Sequence, residues 1–368
     1  MQDPIAWVDL ALAHTIQGFT DLAEREMQVA LHLAPDSRFV LRSAARLLVH
    51  KDRADEANYL LNASPRASED PWLLAAEIST AQLAFGKARR ALEGRTMAAR
   101  GAFAPHSLSE LTSELATTEL ISGRDRQSRL LFGQSLSDPT ENAIAQAVSQ
   151  ANRTNLQLDP VTLSMSRGYE ARALEHARQG EWQAATEEAA RWLEDQPFSQ
   201  EPYRFASFTT SFGSADYDSA ARIAIEGLRL HPNDEMLRNN AAYALANLDL
   251  PAEARRFIRV PTDQIDDDAL TQLATMGLVH FREGDAETGG RLYRLAIAGL
   301  EKLRRRDLAG VAASHLALEE MRMGMPAGAR TAERALKLVR ELNGSERRVL
   351  EERLNVAIGK LNPRASLP

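Results

Sequence analysis

A short pattern of small and aromatic residues recurs roughly every 34–35 residues along the chain. The clearest copy consists of Tyr169, Ala173, His176, Gly180, Ala185, Ala189, Trp192 and Pro197. Near the N-terminus, Trp7 and Pro35 are separated by the same number of positions as Tyr169 and Pro197. A repeat of this length holds one helix–turn–helix unit, which cannot bury its apolar face alone and stacks on its neighbours. The pattern therefore predicts an array of helix pairs.

These residue types, at these spacings, resemble the tetratricopeptide repeat (TPR). We count about nine copies, several of them degenerate, over most of residues 4–342. The resemblance implies an all-α fold, a right-handed TPR-like superhelical solenoid of antiparallel helix pairs. Small residues let the two helices of a pair approach closely, while Pro and Gly mark helix ends.

The repeat is interrupted between Pro139 and Pro160, where we expect a single helix over 141–151 and then a polar loop. This segment is either a hinge or a divergent repeat. The predicted organisation is N-terminal repeats over 4–138, an irregular connecting segment over 139–165, C-terminal repeats over 166–342, and a capping helix and tail over 343–368.

Composition narrows the possible functions. The chain has 44 basic and 51 acidic residues, a net charge of −7. This balance argues against broad nucleic-acid binding, which needs a basic face. Because there is no cysteine, we expect no disulfide and no thiolate metal site. The N-terminus lacks a signal-peptide pattern and no apolar run is long enough to span a bilayer, so we expect a cytoplasmic protein without a membrane partner.

Motifs that carry chemistry are missing from the sequence. It contains no phosphate-binding glycine loop, no H-E-x-x-H and no G-x-S-x-G. Asp266 to Asp268 form an acidic run before a predicted helix, and we expect them to cap that helix because three consecutive carboxylates do not converge on a metal ion. We therefore predict no catalytic residue, no metal and no cofactor.

The resemblance also places candidate binding residues. In TPR arrays the first helix of each unit lines the concave groove, and the predicted partner-binding residues on that face are Arg178, Phe205, Phe212, Asn239, Tyr243, Asn247 and Arg282. Asparagine can donate and accept hydrogen bonds to a peptide backbone at once, and arginine pairs with carboxylates. We expect a peptide with acidic groups to bind between repeats five and eight, above an aromatic floor.

The leading hypothesis is a non-catalytic, bacterial-type scaffold or adaptor that binds a partner protein or peptide through its concave groove. One alternative is a regulatory or sensor subunit of a multi-protein effector system, such as a nuclease, a toxin or an antiviral defence system. A second alternative is an enzyme with a site between helices, which no constellation of residues favours.

Overall fold

The computed structural model of the chain describes residues 3–259, 266–342 and 345–361. Within these ranges the chain forms α-helices, one short 3-10 helix and no strand. The helices are α1 (Pro4–Ile16), α2 (Thr20–Leu33), α3 (Arg38–His50), α4 (Ala54–Ala63), α5 (Pro71–Phe85), α6 (Ala91–Ala99), α7 (Pro105–Ile121), α8 (Asp125–Ser135), α9 (Glu141–Thr154), α10 (Pro160–Leu163), α11 (Tyr169–Gln179), α12 (Trp182–Asp195), α13 (Gln200–Phe212), α14 (Tyr217–Leu230), α15 (Glu235–Asn247), α16 (Pro251–Ala254), α17 (Asp267–Arg282), α18 (Ala286–Lys302), α19 (Arg306–Arg322), α20 (Gly328–Arg340) and α21 (Glu346–Leu361). The predicted all-α class is confirmed.

Consecutive helices pack as pairs joined by short turns. Examples are α1 with α2, α7 with α8, α17 with α18, and α19 with α20. The first helices of successive pairs also contact each other, as α13, α15, α17 and α19 do. The clearest sequence copy forms α11 and α12, and Gly180 between them has a φ of +76°, a conformation that glycine adopts at low cost. The predicted array of helix pairs is therefore confirmed.

The chain divides into two compact units. Unit 1 comprises Met1–Glu175 and Glu194–Ser199, and unit 2 comprises His176–Leu193 and Gln200–Pro368. The segment 139–165 contains α9 and α10. Helix α9 packs against α7 and α8 within unit 1.

In unit 2, two glycines set the close approach of α17 and α18. A Cβ on Gly289 would lie 2.7 Å from a ring carbon of Phe281 and 2.8 Å from the carbonyl oxygen of Gly277. A Cβ on Gly277 would lie 2.8 Å from the ring of Tyr293. Real Cβ atoms do not approach so closely, so the absence of both side chains lets α17 and α18 pack at this distance, and Gly277 leaves room for the ring of Tyr293.

Helix α21 docks into the core of unit 2. Leu350 and Leu354 on this helix are fully buried. Arg348 donates to the carbonyl oxygen of Gly180 at 2.7 Å, and Arg353 donates to the carbonyl oxygen of Phe212 at 2.6 Å. The two acceptors lie at the C-terminal ends of α11 and α13, where free carbonyls and the helix dipole favour a cation.

The acidic run lies at the start of α17, with Asp267 and Asp268 inside its first turn. The carboxylate of Asp266 accepts a hydrogen bond from the backbone N–H of Ala269 at 2.9 Å, which confirms the capping prediction for Asp266. The residues just before it, 260–265, lie outside the described part of the chain. No described helix is both long and apolar enough to cross a membrane.

Candidate functional site

The first helices of the unit 2 pairs, α13, α15, α17 and α19, enclose a cavity of about 640 Å³. We call this the unit 2 cavity. Its more buried side, the aromatic floor, consists of Phe208, Phe212, Tyr243, Tyr293 and His315. Its more exposed side, the acidic rim, consists of Glu235, Asp267, Asp268, Asp307 and Glu346. Apolar side chains such as Leu308 and Val311 lie between the two.

The floor is held together by ring contacts. Phe208 and Phe212, one turn apart on α13, stack with their centroids 5.4 Å apart. Trp182 packs edge-on against Phe212 at 5.0 Å, and Tyr243 packs edge-on against His315 at 5.3 Å. Such pairs add about 0.5–1.5 kcal/mol each beyond the burial of their surface. The floor is thus a fixed surface on which a ligand can pack.

The floor is also uncharged at neutral pH. Burial, and to a smaller extent Arg353, lowers the pKa of His315 to about 4, so its imidazole is neutral. Burial, together with the neighbouring Tyr217, raises the pKa of Tyr243 well above its usual range. Burial likewise raises the pKa of Tyr293. The floor side chains therefore carry no charge of their own, although the guanidinium of Arg353 lies 5.4 Å from the centre of the Phe212 ring.

Two adjacent asparagines on α15 differ in their hydrogen bonds. Asn240 donates to the carbonyl oxygen of Arg204 at 3.2 Å and to the hydroxyl of Ser207 at 2.9 Å, which fixes α15 against α13. The amide oxygen of Asn239 is buried and has no hydrogen-bond partner among the described residues. An unpaired buried acceptor costs about 1–3 kcal/mol, and Asn239 lines the cavity.

The rim residues share a place in the repeat. Each lies in the first turn of its helix, on α15, α17, α19 or α21. Carboxylates there oppose the helix dipole, which accounts for their presence without a ligand. Arg305 forms ion pairs with Asp267 and, at 2.9 Å, with Asp307. Glu235 accepts from the Gln272 amide at 3.2 Å.

Comparison with known proteins addresses the fold. No protein-family model matches the chain, and no curated protein matches it. A solved structure of selenomethionine phAimR aligns with a TM-score of 0.56 at 12% identity, over 93% of this chain and 81% of that one. Yeast Tom70 aligns at 14% identity over 100% and 91%, with a TM-score of 0.39. The human IFIT1 dimer with PPP-AAAA aligns at 15% identity over 95% and 89%, with a TM-score of 0.49.

These three proteins are built from TPR-type helical repeats. At such low identities the similarity shows the fold alone, and of the three structures only phAimR has a TM-score above 0.5. The chain has a TPR-like fold.

Within this TPR-like array, the structure separates the predicted site residues into groups. Phe212, Asn239 and Tyr243 come together in the unit 2 cavity. Phe205 is half-buried and packs against Trp192 at 6.1 Å, outside the lining. Arg178 is exposed on the last turn of α11, also outside the lining.

Arg282 and Asn247 form a polar cluster on the same TPR first helices, beside the cavity. The guanidinium of Arg282, with its side chain only 9% exposed, pairs with Asp249 at 2.8 Å and with Glu319 at 2.8 Å. It also donates to the amide oxygen of Asn247 at 3.2 Å. Two carboxylates of the protein therefore pair with this cation.

Unit 1 of the TPR-like array has a groove of its own, about 680 Å³ in volume. Three arginines of α3 follow one another at one-turn spacing along it. Arg38 pairs with Asp70 at 2.6 Å, and Arg42 pairs with Glu110 at 2.7 Å. The third, Arg46, donates to the amide oxygen of Gln196 at 2.9 Å, and burial, followed by the nearby Arg42, lowers its pKa.

Proposed function

We propose that this protein is a non-catalytic scaffold that binds a partner protein through a peptide segment seated in the unit 2 cavity. The observation that carries the proposal is the cavity itself, a space of about 640 Å³ with a rigid aromatic floor and an unpaired buried acceptor at Asn239. A cleft of this size with a mainly apolar lining and a few convergent polar groups is what small ligands and peptide side chains occupy.

Peptide recognition also suits the elements that form the cavity. It is lined by successive first helices of one TPR-like array, so an extended segment crossing them meets a new set of side chains on each helix. Asn239 can exchange hydrogen bonds with a peptide backbone, while Phe212 and Tyr243 provide area that side chains can cover.

The proposal is tested by filling the cavity. Val311 is half-buried and lines it, and Val311→Trp places an indole in the space that a ligand would use. The matched control is Leu295→Trp, because Leu295 is 56% exposed on α18. The full-length chain and both variants serve as bait in cells that express it, and captured proteins are quantified by mass spectrometry.

We expect a partner that the wild-type chain and Leu295→Trp capture equally and that Val311→Trp captures at least about tenfold less, equivalent to about 1.4 kcal/mol. Equal capture by a Val311→Trp chain with an unchanged circular dichroism spectrum would contradict the proposed site. A screen of the purified chain for phosphatase, nuclease and ATPase turnover tests the non-catalytic part of the proposal.

A further inference from the structure

The balance of charge and hydrogen-bonding groups around the unit 2 cavity indicates which peptides it takes. We infer that the cavity selects a segment carrying a lysine or arginine, whose cationic head lies at the acidic rim and whose stem packs over the aromatic floor. This inference rests on the proposed function and narrows it to one class of ligand.

Charge is the first argument. The described lining carries five carboxylates, on Glu235, Asp267, Asp268, Asp307 and Glu346, against one guanidinium, on Arg305. The N-termini of α15, α17, α19 and α21 add about half a positive charge each. The four N-termini thus add about two positive charges in total. Together with Arg305 they offset about three of the five carboxylate charges, so the rim keeps a net charge of about −2. Arg305 pairs with two of the carboxylates, which leaves Glu235, Asp268 and Glu346 lining the cavity without an ion pair among the described residues; of these, Glu235 accepts from the neutral amide of Gln272.

Hydrogen-bonding capacity is the second, independent argument. The amide oxygen of Asn239 is buried without a partner. Tyr293, 2% exposed, lines the same cavity and brings a second side-chain oxygen to it. Each of these oxygens can accept a hydrogen bond, as can the rim carboxylates. A backbone N–H of the segment can donate to Asn239, while at the rim lysine and arginine side chains carry several donors and no acceptor, so their heads complement the carboxylates there.

Shape is the third argument. A lysine or arginine buries its methylene stem on apolar surface while its head stays near water. Leu308, Val311 and Leu342 provide such surface between rim and floor.

The experiment selects ligands without assuming their sequence. A display library of short random peptides is panned on the immobilised full-length chain, and enriched sequences are compared with the unselected library. We expect lysine or arginine to be enriched at one position. A synthetic copy of the most enriched peptide should bind, and replacing its basic residue with norleucine, which keeps most of the stem, should weaken binding about tenfold or more.

The rim is tested with a matched pair of double variants. Asp268→Asn with Glu346→Gln removes two rim charges, whereas Glu253→Gln with Glu287→Gln removes two exposed charges outside the lining. We expect the rim variant to bind the peptide about tenfold more weakly and the control to stay within about twofold. Added salt should weaken binding to the wild-type chain more than to the rim variant.

The outcomes separate this inference from the proposed function. Enrichment of acidic or purely apolar peptides whose binding Val311→Trp abolishes would overturn the inference and leave the cavity as the binding site. Peptides that bind Val311→Trp and wild type equally, or no enrichment at all, would overturn the inference together with the proposed function. Equal affinity for the basic peptide and its norleucine copy would overturn the inference alone.

Discussion

At the scale of single residues, burial controls the protonation of Glu114 on α7. Burial raises the pKa of its carboxyl to about 7, although hydrogen bonds from Gln146 and Ser79 act in the opposite direction. The unfolded chain has a glutamate pKa near 4.5, so the folded state holds this proton more tightly. Folded stability from this group is therefore greatest below about pH 4.5 and is lost as the pH rises to about 7.

Glu114→Gln tests that balance. The amide keeps the shape of the protonated side chain but does not ionise. The variant therefore does not lose stability from ionisation of a buried carboxyl at higher pH, as the wild type does. Between pH 5 and pH 8, we expect the free energy of unfolding of the variant to rise by about 2 kcal/mol relative to that of the wild type. Urea unfolding across this range measures it. Parallel pH profiles would show that Glu114 ionises in the folded chain as it does in the unfolded one.

Residue by residue, the sequence could identify only part of the candidate site. Phe212, Asn239 and Tyr243 follow from the repeat, because helix phase decides which positions of a first helix face inward. Tyr293 lies on a second helix, α18, and reaches the cavity only through the close approach at Gly277 and Gly289. Arg282 on α17 pairs with Asp249, which follows α15, and with Glu319 on α19. A local sequence pattern does not predict such tertiary partners.

At the scale of the elements, the packing of α17 on α18 is the most sensitive to side-chain size. Gly289→Ala places a methyl group 2.7 Å from Phe281 and 2.8 Å from the Gly277 carbonyl oxygen. We expect this overpacking to destabilise the protein by about 1 kcal/mol or more, even though alanine favours helix. Gly133→Ala on α8 is the control, because its methyl group meets nothing within 4 Å and should stabilise by about 0.5–1 kcal/mol. Thermal unfolding distinguishes the two, and a stabilised Gly289→Ala would contradict the described crossing.

Helix α21 gives a second prediction at this scale. Leu354→Ala should cost about 2–5 kcal/mol, because the side chain is fully buried in unit 2 and its loss leaves a cavity. Val356→Ala is the matched control, since Val356 is 53% exposed on the same helix and its truncation should change stability by less than about 0.5 kcal/mol. Denaturant unfolding measures both. Equal, small effects would show that α21 does not belong to the core of unit 2.

Some of the helices could be predicted from the sequence, and others could not. The first helices α11, α13, α15 and α17 could be placed from the repeat, because their small and aromatic residues recur at its spacing. The docking of α21 against Gly180 and Phe212 could not, because it joins residues far apart in the chain through two arginine side chains. The short α16, Pro251–Ala254, also departs from the full second helix that the repeat predicts.

At the scale of the whole molecule, the two units offer grooves of different electrostatic character. In the unit 1 groove, the arginines Arg38 and Arg42 are each neutralised by a carboxylate, and Arg46 is held by neutral acceptors and by the ring of Phe198 at 4.5 Å. In the described lining of the unit 2 cavity, five carboxylates outnumber the one guanidinium of Arg305. A cationic peptide is therefore expected to distinguish unit 2 from unit 1.

Hydrogen exchange locates such a peptide within the whole chain. A ligand that binds only the folded state stabilises it by about 2.7 kcal/mol when present at a hundred times its Kd. This stabilisation slows amide exchange about a hundredfold where exchange requires unfolding of the region that binds the ligand. With the basic peptide selected above, we expect this protection in α13, α15, α17 and α19, and unchanged exchange in α3 and α5, which line the unit 1 groove. In Val311→Trp the protection should disappear from all four helices of unit 2. Protection confined to α3 and α5 would place the ligand beside Arg46, where a cation gains nothing from the neighbouring arginines, and would contradict both the assigned site and the charge argument that supports it.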